Sequence, residues 1–151
     1  MEKIEVLKRC PMFRDLDEEQ LKFIADMATS EVYEVGESLG KQGRSQKKAF
    51  IIEDGLVGIY LELGPMMHRQ IQAASNFELV CWSAILPPHR MFSTVRAIET
   101  TKVLSFNGQE LAQLCQANPL IGCKMHRSVA QTIANRLNSA YTQLMGVTAE
   151  D

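Results

Sequence analysis

Arg90 is the residue best placed to do chemistry in this chain. It sits in the run Pro87-Pro88-His89-Arg90-Met91-Phe92-Ser93-Thr94, inside a segment spanning 76–97. That segment reads as a short helical turn over Cys81, Trp82, Ser83 and Ala84, a Pro-Pro loop carrying one arginine, and then a β-strand. A turn of this kind gathers backbone N–H groups, and a neighbouring cation completes a cradle for an anion such as phosphate. Glu78, Ser83, Ser93 and Thr94 add side-chain hydrogen-bonding groups around it, although β-propensity alone accounts for Thr94. Trp82 brings a large ring with a single donor, suited either to stacking on a planar ligand or to filling a core.

Other chemistries find little support. His68, His89 and His126 fall in separate elements, and Cys10, Cys81, Cys115 and Cys123 form no C-x-x-C pair. A metal site is not expected from such spacing, and the cysteines read as buried thiols in a reducing compartment. No nucleophile elbow, H-E-x-x-H or P-loop occurs, so the chain is read as non-enzymatic. With 46% hydrophobic and 23% charged residues and a net charge of −2, it is an ordinary globular sequence with no global basic field to attract nucleic acid or anionic lipid. No apolar run reaches the roughly 18 residues of a membrane helix, and the N-terminus lacks a signal-peptide core. A cytoplasmic location is the expectation.

The elements that must position the segment come in three zones of one domain over 1–151. The first, to about residue 30, is helical: Asp17 with Gln20 makes a capping box, and Leu21, Ile24, Ala25 and Ala28 follow as an apolar stripe. Cys10-Pro11-Met12-Phe13 separates this helix from a shorter one. The second zone, 31–106, changes to strand periodicity, clearest where Val57, Ile59, Leu61 and Leu63 alternate with Gly58, Tyr60 and Glu62. Asp54-Gly55 predicts a two-residue hairpin after a strand over 49–53, and Gly64-Pro65 marks the next turn. Further short strands are expected at 31–35, 92–98 and 102–106, punctuated by Gly36, Gly40 and Gly43. Many short strands with glycine between them indicate a barrel or double-sheet sandwich.

The third zone, 107–145, is helical again. Asn107 caps a helix over 109–116, with Glu110 at the capping-box position, and Pro119 opens a long final helix. On that helix Val129, Ile133, Leu137, Ala140 and Leu144 recur at near-heptad spacing. They form either a packing stripe against the chain's own barrel or, as favoured here, a homodimer seam. Residues 147–151 are expected to fray.

This order of elements resembles cyclic nucleotide-binding domains, in particular the sensor half of Crp/Fnr-type bacterial regulators. The resemblance runs nearly end to end: Met12-Phe-Arg-Asp-Leu-Asp-Glu-Glu-Gln-Leu21, Val32-Tyr-Glu-Val-Gly-Glu37, Lys41-Gln-Gly43, Phe50-Ile-Ile-Glu-Asp-Gly55, Val95-Arg-Ala97 and Val129-Ala-Gln-Thr-Ile-Ala-Asn-Arg-Leu137. It implies a mainly β fold with flanking helices: a jelly-roll-like double-stranded β-helix, N-terminal helices and a long C-terminal helix. It also implies that 76–97 is a phosphate-binding cassette, in which a glutamate takes the ribose 2′-OH and an arginine pairs with the cyclic phosphate. Here Cys81 stands at the cassette's glycine, Trp82 at its glutamate and Met91 at its arginine, with Arg90 one residue early and Phe92 in a place usually small and polar. A phosphate buried without its charged partner loses roughly 2–5 kcal/mol. The cassette therefore reads as degenerate.

The resulting expectation is a stand-alone regulatory domain, homodimeric through its last helix, that does not bind cAMP or cGMP in the usual pose. No cofactor is expected. No helix-turn-helix follows the long helix, so no DNA reader is expected in this chain. The alternatives are a ligand-free dimerisation or docking module, a sensor with non-covalent haem on one axial His or Cys, and a genuine cyclic nucleotide binder using Arg90.

Overall fold

A computed structural model describes residues 1–146. The expectation for 147–151 lies outside the described residues. Helices α1 (Lys3–Arg9) and α2 (Glu18–Met27) precede eight strands: β1 (Thr29–Tyr33), β2 (Ser38–Gly40), β3 (Lys48–Asp54), β4 (Val57–Gly64), β5 (Met67–Ala74), β6 (Leu79–Val80), β7 (Thr94–Ala97) and β8 (Thr101–Asn107). Helices α3 (Gly108–Ala117) and α4 (Pro119–Leu144) follow, and short 3-10 turns occupy Pro11–Phe13 and Trp82–Ala84. The strands form two antiparallel four-stranded sheets in the orders β1-β8-β3-β6 and β2-β7-β4-β5.

Local chemistry sets the helix ends. Asp17 accepts from the Gln20 backbone N–H at 2.8 Å while the Gln20 side chain accepts from the Asp17 N–H at 3.0 Å, the reciprocal pair of a capping box. Asn107 Oδ1 accepts from the N–H groups of Gln109 and Glu110, and Asn118 Oδ1 accepts from Ile121 N–H ahead of the Pro119 start of α4.

Strand alternation divides the interior in two. On β3, Phe50 and Ile52 face between the sheets, where they join Val57, Ile59, Val80 and Val103. Ala49 and Ile51 face the other way, toward a larger cluster that α1, α2, α3 and the first half of α4 close off with residues such as Leu7, Phe13, Ile24 and Leu111. Phe13 and Phe106 meet there at 6.1 Å between ring centroids. Each fully buried side chain of this size contributes about 1.5–3 kcal/mol.

Two sequence expectations need correction. Asp54-Gly55 is not a hairpin: β3 pairs with β8 and β6, whereas β4 pairs with β5 and β7, so this turn carries the chain from one sheet to the other. Gly55 is required for it, with φ of 145° and Thr101 so close that a Cβ would lie 2.5 Å from its Oγ1. Gly64-Pro65 does join a hairpin, β4–β5. The second correction concerns the stripe on α4. Val129 is 1% exposed within the chain's own core and Ile133 packs against it, so Val129 offers nothing to a partner. Beyond Ile133 the helix passes β5, tied by Gln72 Nε2 donating to the Arg136 carbonyl at 2.8 Å and by Gln143 Nε2 donating to the Ile71 carbonyl. There Leu137 is 49% and Leu144 83% exposed, with Ala140 half-buried.

Candidate functional site: a filled cassette

The cassette begins on a turn anchored to β3. Phe77 N–H donates to the Ile52 carbonyl at 2.7 Å, Ile52 N–H donates to the Glu78 carbonyl at 3.1 Å, and Phe77 holds φ of 69°. Glu78 points away from the roll and is exposed, its Oε2 accepting from Ser75 N–H at 2.6 Å. In β6, Leu79 then faces the helices and Val80 the roll interior.

Cys81 breaks that alternation. It adopts the left-handed conformation, φ 63° and ψ 42°, so Cys81 follows Val80 into the roll interior and Trp82 swings toward the helical side. A glycine enters this conformation without steric cost, and the resemblance places a glycine here. The backbone of the cassette is thus kept while a thiol now fills space. Burial pushes the Cys81 thiol well above its ordinary pKa, the nearby Arg136 charge opposing only in part, so it acts as an apolar filler.

Trp82 is half-buried and packs against the helical cluster beneath Arg136, whose guanidinium carbon lies 5.1 Å from the ring centroid. Arg136 also donates from Nη2 to the Leu79 carbonyl at 3.0 Å. Burial lowers its pKa while Glu78 raises it, and a guanidinium stays charged under such opposing shifts. Ser83 and Ala84 complete the turn, both buried. The Ala84 carbonyl rests on Gly108 so closely that a Cβ there would lie 2.0 Å from it, which seats the cassette on the first turn of α3.

The second half of the cassette is pinned from outside. A cis bond joins Pro87 to Pro88, and His89 Nδ1 donates to the Ser83 carbonyl at 2.9 Å. The segment then pairs with the loop between β2 and β3: Gln46 N–H donates to His89 O, Met91 N–H to Arg44 O, and Gly43 N–H to Met91 O, at 2.8–3.0 Å. This register decides which side chains point inward. Met91 is buried in the roll, while Arg90 and Phe92, its neighbours in an extended chain, face out. Phe92 is 72% exposed, and Arg90 Nη1 donates to the Gly43 carbonyl. Bringing Arg90 inside would require breaking the three backbone bonds that hold His89 and Met91. Thr94 is buried and accepts from Gln42 N–H through Oγ1 at 3.1 Å, and Ser93 is half-buried at the rim.

Inside the roll, Met91 and Cys81 close on Gly40, where a Cβ would meet Met91 Cε at 2.9 Å and Cys81 Sγ at 3.2 Å. The cavity left between Ile59, Cys81, Trp82, Met91 and Ser93 measures about 40 Å³. That volume suits a single water, whereas small-molecule sites occupy about 300–1,000 Å³. Among the described residues no buried side-chain nitrogen or oxygen lacks a hydrogen-bond partner, so no polar group inside is left aimed at a missing ligand.

A sequence model described as the cyclic nucleotide-binding domain matches residues 30–118, which holds the whole cassette and all of both sheets except Thr29. The chain belongs to the cyclic nucleotide-binding domain family. Among solved structures, a putative cyclic nucleotide-binding protein from Geobacter metallireducens is 22% identical, with a TM-score of 0.79 over 91% of this chain and 99% of that one. A cyclic nucleotide-binding domain from Methylobacillus flagellatus gives a TM-score of 0.83 at 16% identity, covering 97% and 83%. The catabolite activator protein of Thermus thermophilus gives 0.73 at 20% identity over 89% of this chain and 61% of its own. No curated protein matches the sequence. These likenesses carry the fold: two antiparallel sheets with flanking helices and a long C-terminal helix.

The remaining candidate ligands of haem or metal are dispersed. His68 stacks edge-on to Tyr60, and His126 Nδ1 lies 2.8 Å from the Gly122 carbonyl, remote in sequence and element from His89. Among the described residues no group of three His, Cys, Asp or Glu converges. Sequence reasoning gave Arg136 no role, although it lies within the stretch from Val129 to Leu137 that carries the resemblance. It also missed the loop around Gly43. In neither case does residue type reveal the partner, because the contacts are long-range.

Proposed function

We propose that this domain is a non-enzymatic regulatory module that works without cAMP or cGMP in the roll and pairs with a second copy through the outer half of α4. The filling of the roll by Cys81 and Met91, which leaves about 40 Å³, is the observation that carries the first part. For the second, Leu137, Ala140 and Leu144 continue the stripe past Ile133, where the chain's own core stops covering it. Tyr141 and Met145 extend the exposed apolar surface beside them. An amphipathic helix with such a stripe gains by laying it against a partner.

Light scattering tests the pairing. The wild type is expected at twice the 17.0 kDa chain mass, and Leu137→Asp at the single-chain mass with its fold intact, because residue 137 is outside the core. A monomeric wild type, or an unchanged dimer in Leu137→Asp, sinks the seam.

A further inference from the structure

The space missing from the roll interior is found on the molecule's flank. A groove of about 730 Å³ runs between one face of α4, the 3-10 turn at Pro11–Phe13, the end of β5 and the start of the cassette. Its size lies in the range of small-molecule sites, and its walls are helix, strand and an anchored turn. Three arginines line it: Arg14, Arg127 and Arg136. The side chains of Arg14 and Arg127 make no hydrogen bond or ion pair within the described residues, and the Arg136 guanidinium donates from one nitrogen alone, to the Leu79 carbonyl. Two carboxylates, Asp15 and Glu78, share the lining, so the three arginines exceed them by one charge, and Glu78 is turned to Ser75 N–H by a hydrogen bond. Free guanidinium forks lining a polar groove suit a phosphate oxygen pair, and they repel a cationic ligand.

We propose that this groove binds a small phosphate monoester, held by Arg14 and Arg127 and reached by Arg136. Arg136 is stacked on Trp82 at the cassette turn, so a phosphate that draws its guanidinium into the groove alters the surroundings of that ring. Occupancy outside the roll is thereby reported to the same cassette that the family uses from inside. The proposal stands apart from pairing through α4, and its failure leaves the light-scattering result untouched.

Trp82 is the chain's one tryptophan, which makes its emission a direct readout. The full chain is titrated with ribose 5-phosphate, with ribose and sodium chloride at matched ionic strength as controls. A saturable change in emission is expected with ribose 5-phosphate alone, weakened at least tenfold in the double variant Arg14→Gln/Arg127→Gln, whose two sites are exposed and whose melting temperature should be unchanged. No saturable change in the wild type overturns the proposal. So does an equal response in the double variant, or saturation by citrate without saturation by ribose 5-phosphate.

Discussion

The roll interior and the groove on the flank differ in every property that decides ligand binding. Inside, the lining is apolar, the side chains interlock on Gly40 and the free volume is about 40 Å³. Outside, the lining is polar, two arginines are unpartnered and the volume is about 730 Å³. Trp82 and Arg136 stand between the two. The contrast places the room for a ligand outside the sheets, while the space between them is closed by apolar side chains. The left-handed turn at residue 81 and the pairing of 89–91 with the loop at 43–46 deliver a thiol and a thioether into the roll.

Substitutions on the two sides should therefore differ sharply in cost. Met91→Ala removes a buried side chain from the tight side and is expected to destabilise by about 2–5 kcal/mol, measured by urea unfolding. A loss below about 1 kcal/mol would mean the roll is not packed on Met91. Gly108→Ala acts on the cassette from beneath. Helix propensity favours alanine by about 1 kcal/mol, but a Cβ 2.0 Å from the Ala84 carbonyl forces backbone to move. Overpacking should win, leaving a net loss of about 1–2 kcal/mol. A stabilised variant would show that the turn is not seated there. Arg14→Gln/Arg127→Gln, on the open side, should change stability by less than about 0.5 kcal/mol; a larger effect would make the groove structural.

Much of this was legible in the sequence, and the parts that were not share a cause. The capping box at Asp17 and Gln20, the cap at Asn107 and the Pro119 start of α4 are local patterns, and each lies where its residues placed it, whereas the alternation expected of β4 holds only for Val57 and Ile59, with Leu63 exposed beyond a break in register. Asp54-Gly55 has the chemistry of a tight turn, but turn chemistry does not say whether the next strand pairs with the last or crosses to another sheet. The filling of the roll was half legible. Met91 could be seen to lack the arginine charge of the resembling cassettes and Cys81 to add bulk where they have glycine, but their inward direction depends on a left-handed cysteine and on pairing with residues more than forty positions away. Val129 and Leu144 share one stripe by spacing, and only the position of the core beneath α4 separates the buried residue from the exposed one.

The most direct test of the filled roll is isothermal titration of the full chain with cAMP and cGMP at millimolar concentration. No saturable heat is expected for either nucleotide. Saturable binding of one of them with a Kd below about 100 μM, abolished by Arg90→Gln, would contradict the account, because it would require the cassette to open and turn Arg90 inward.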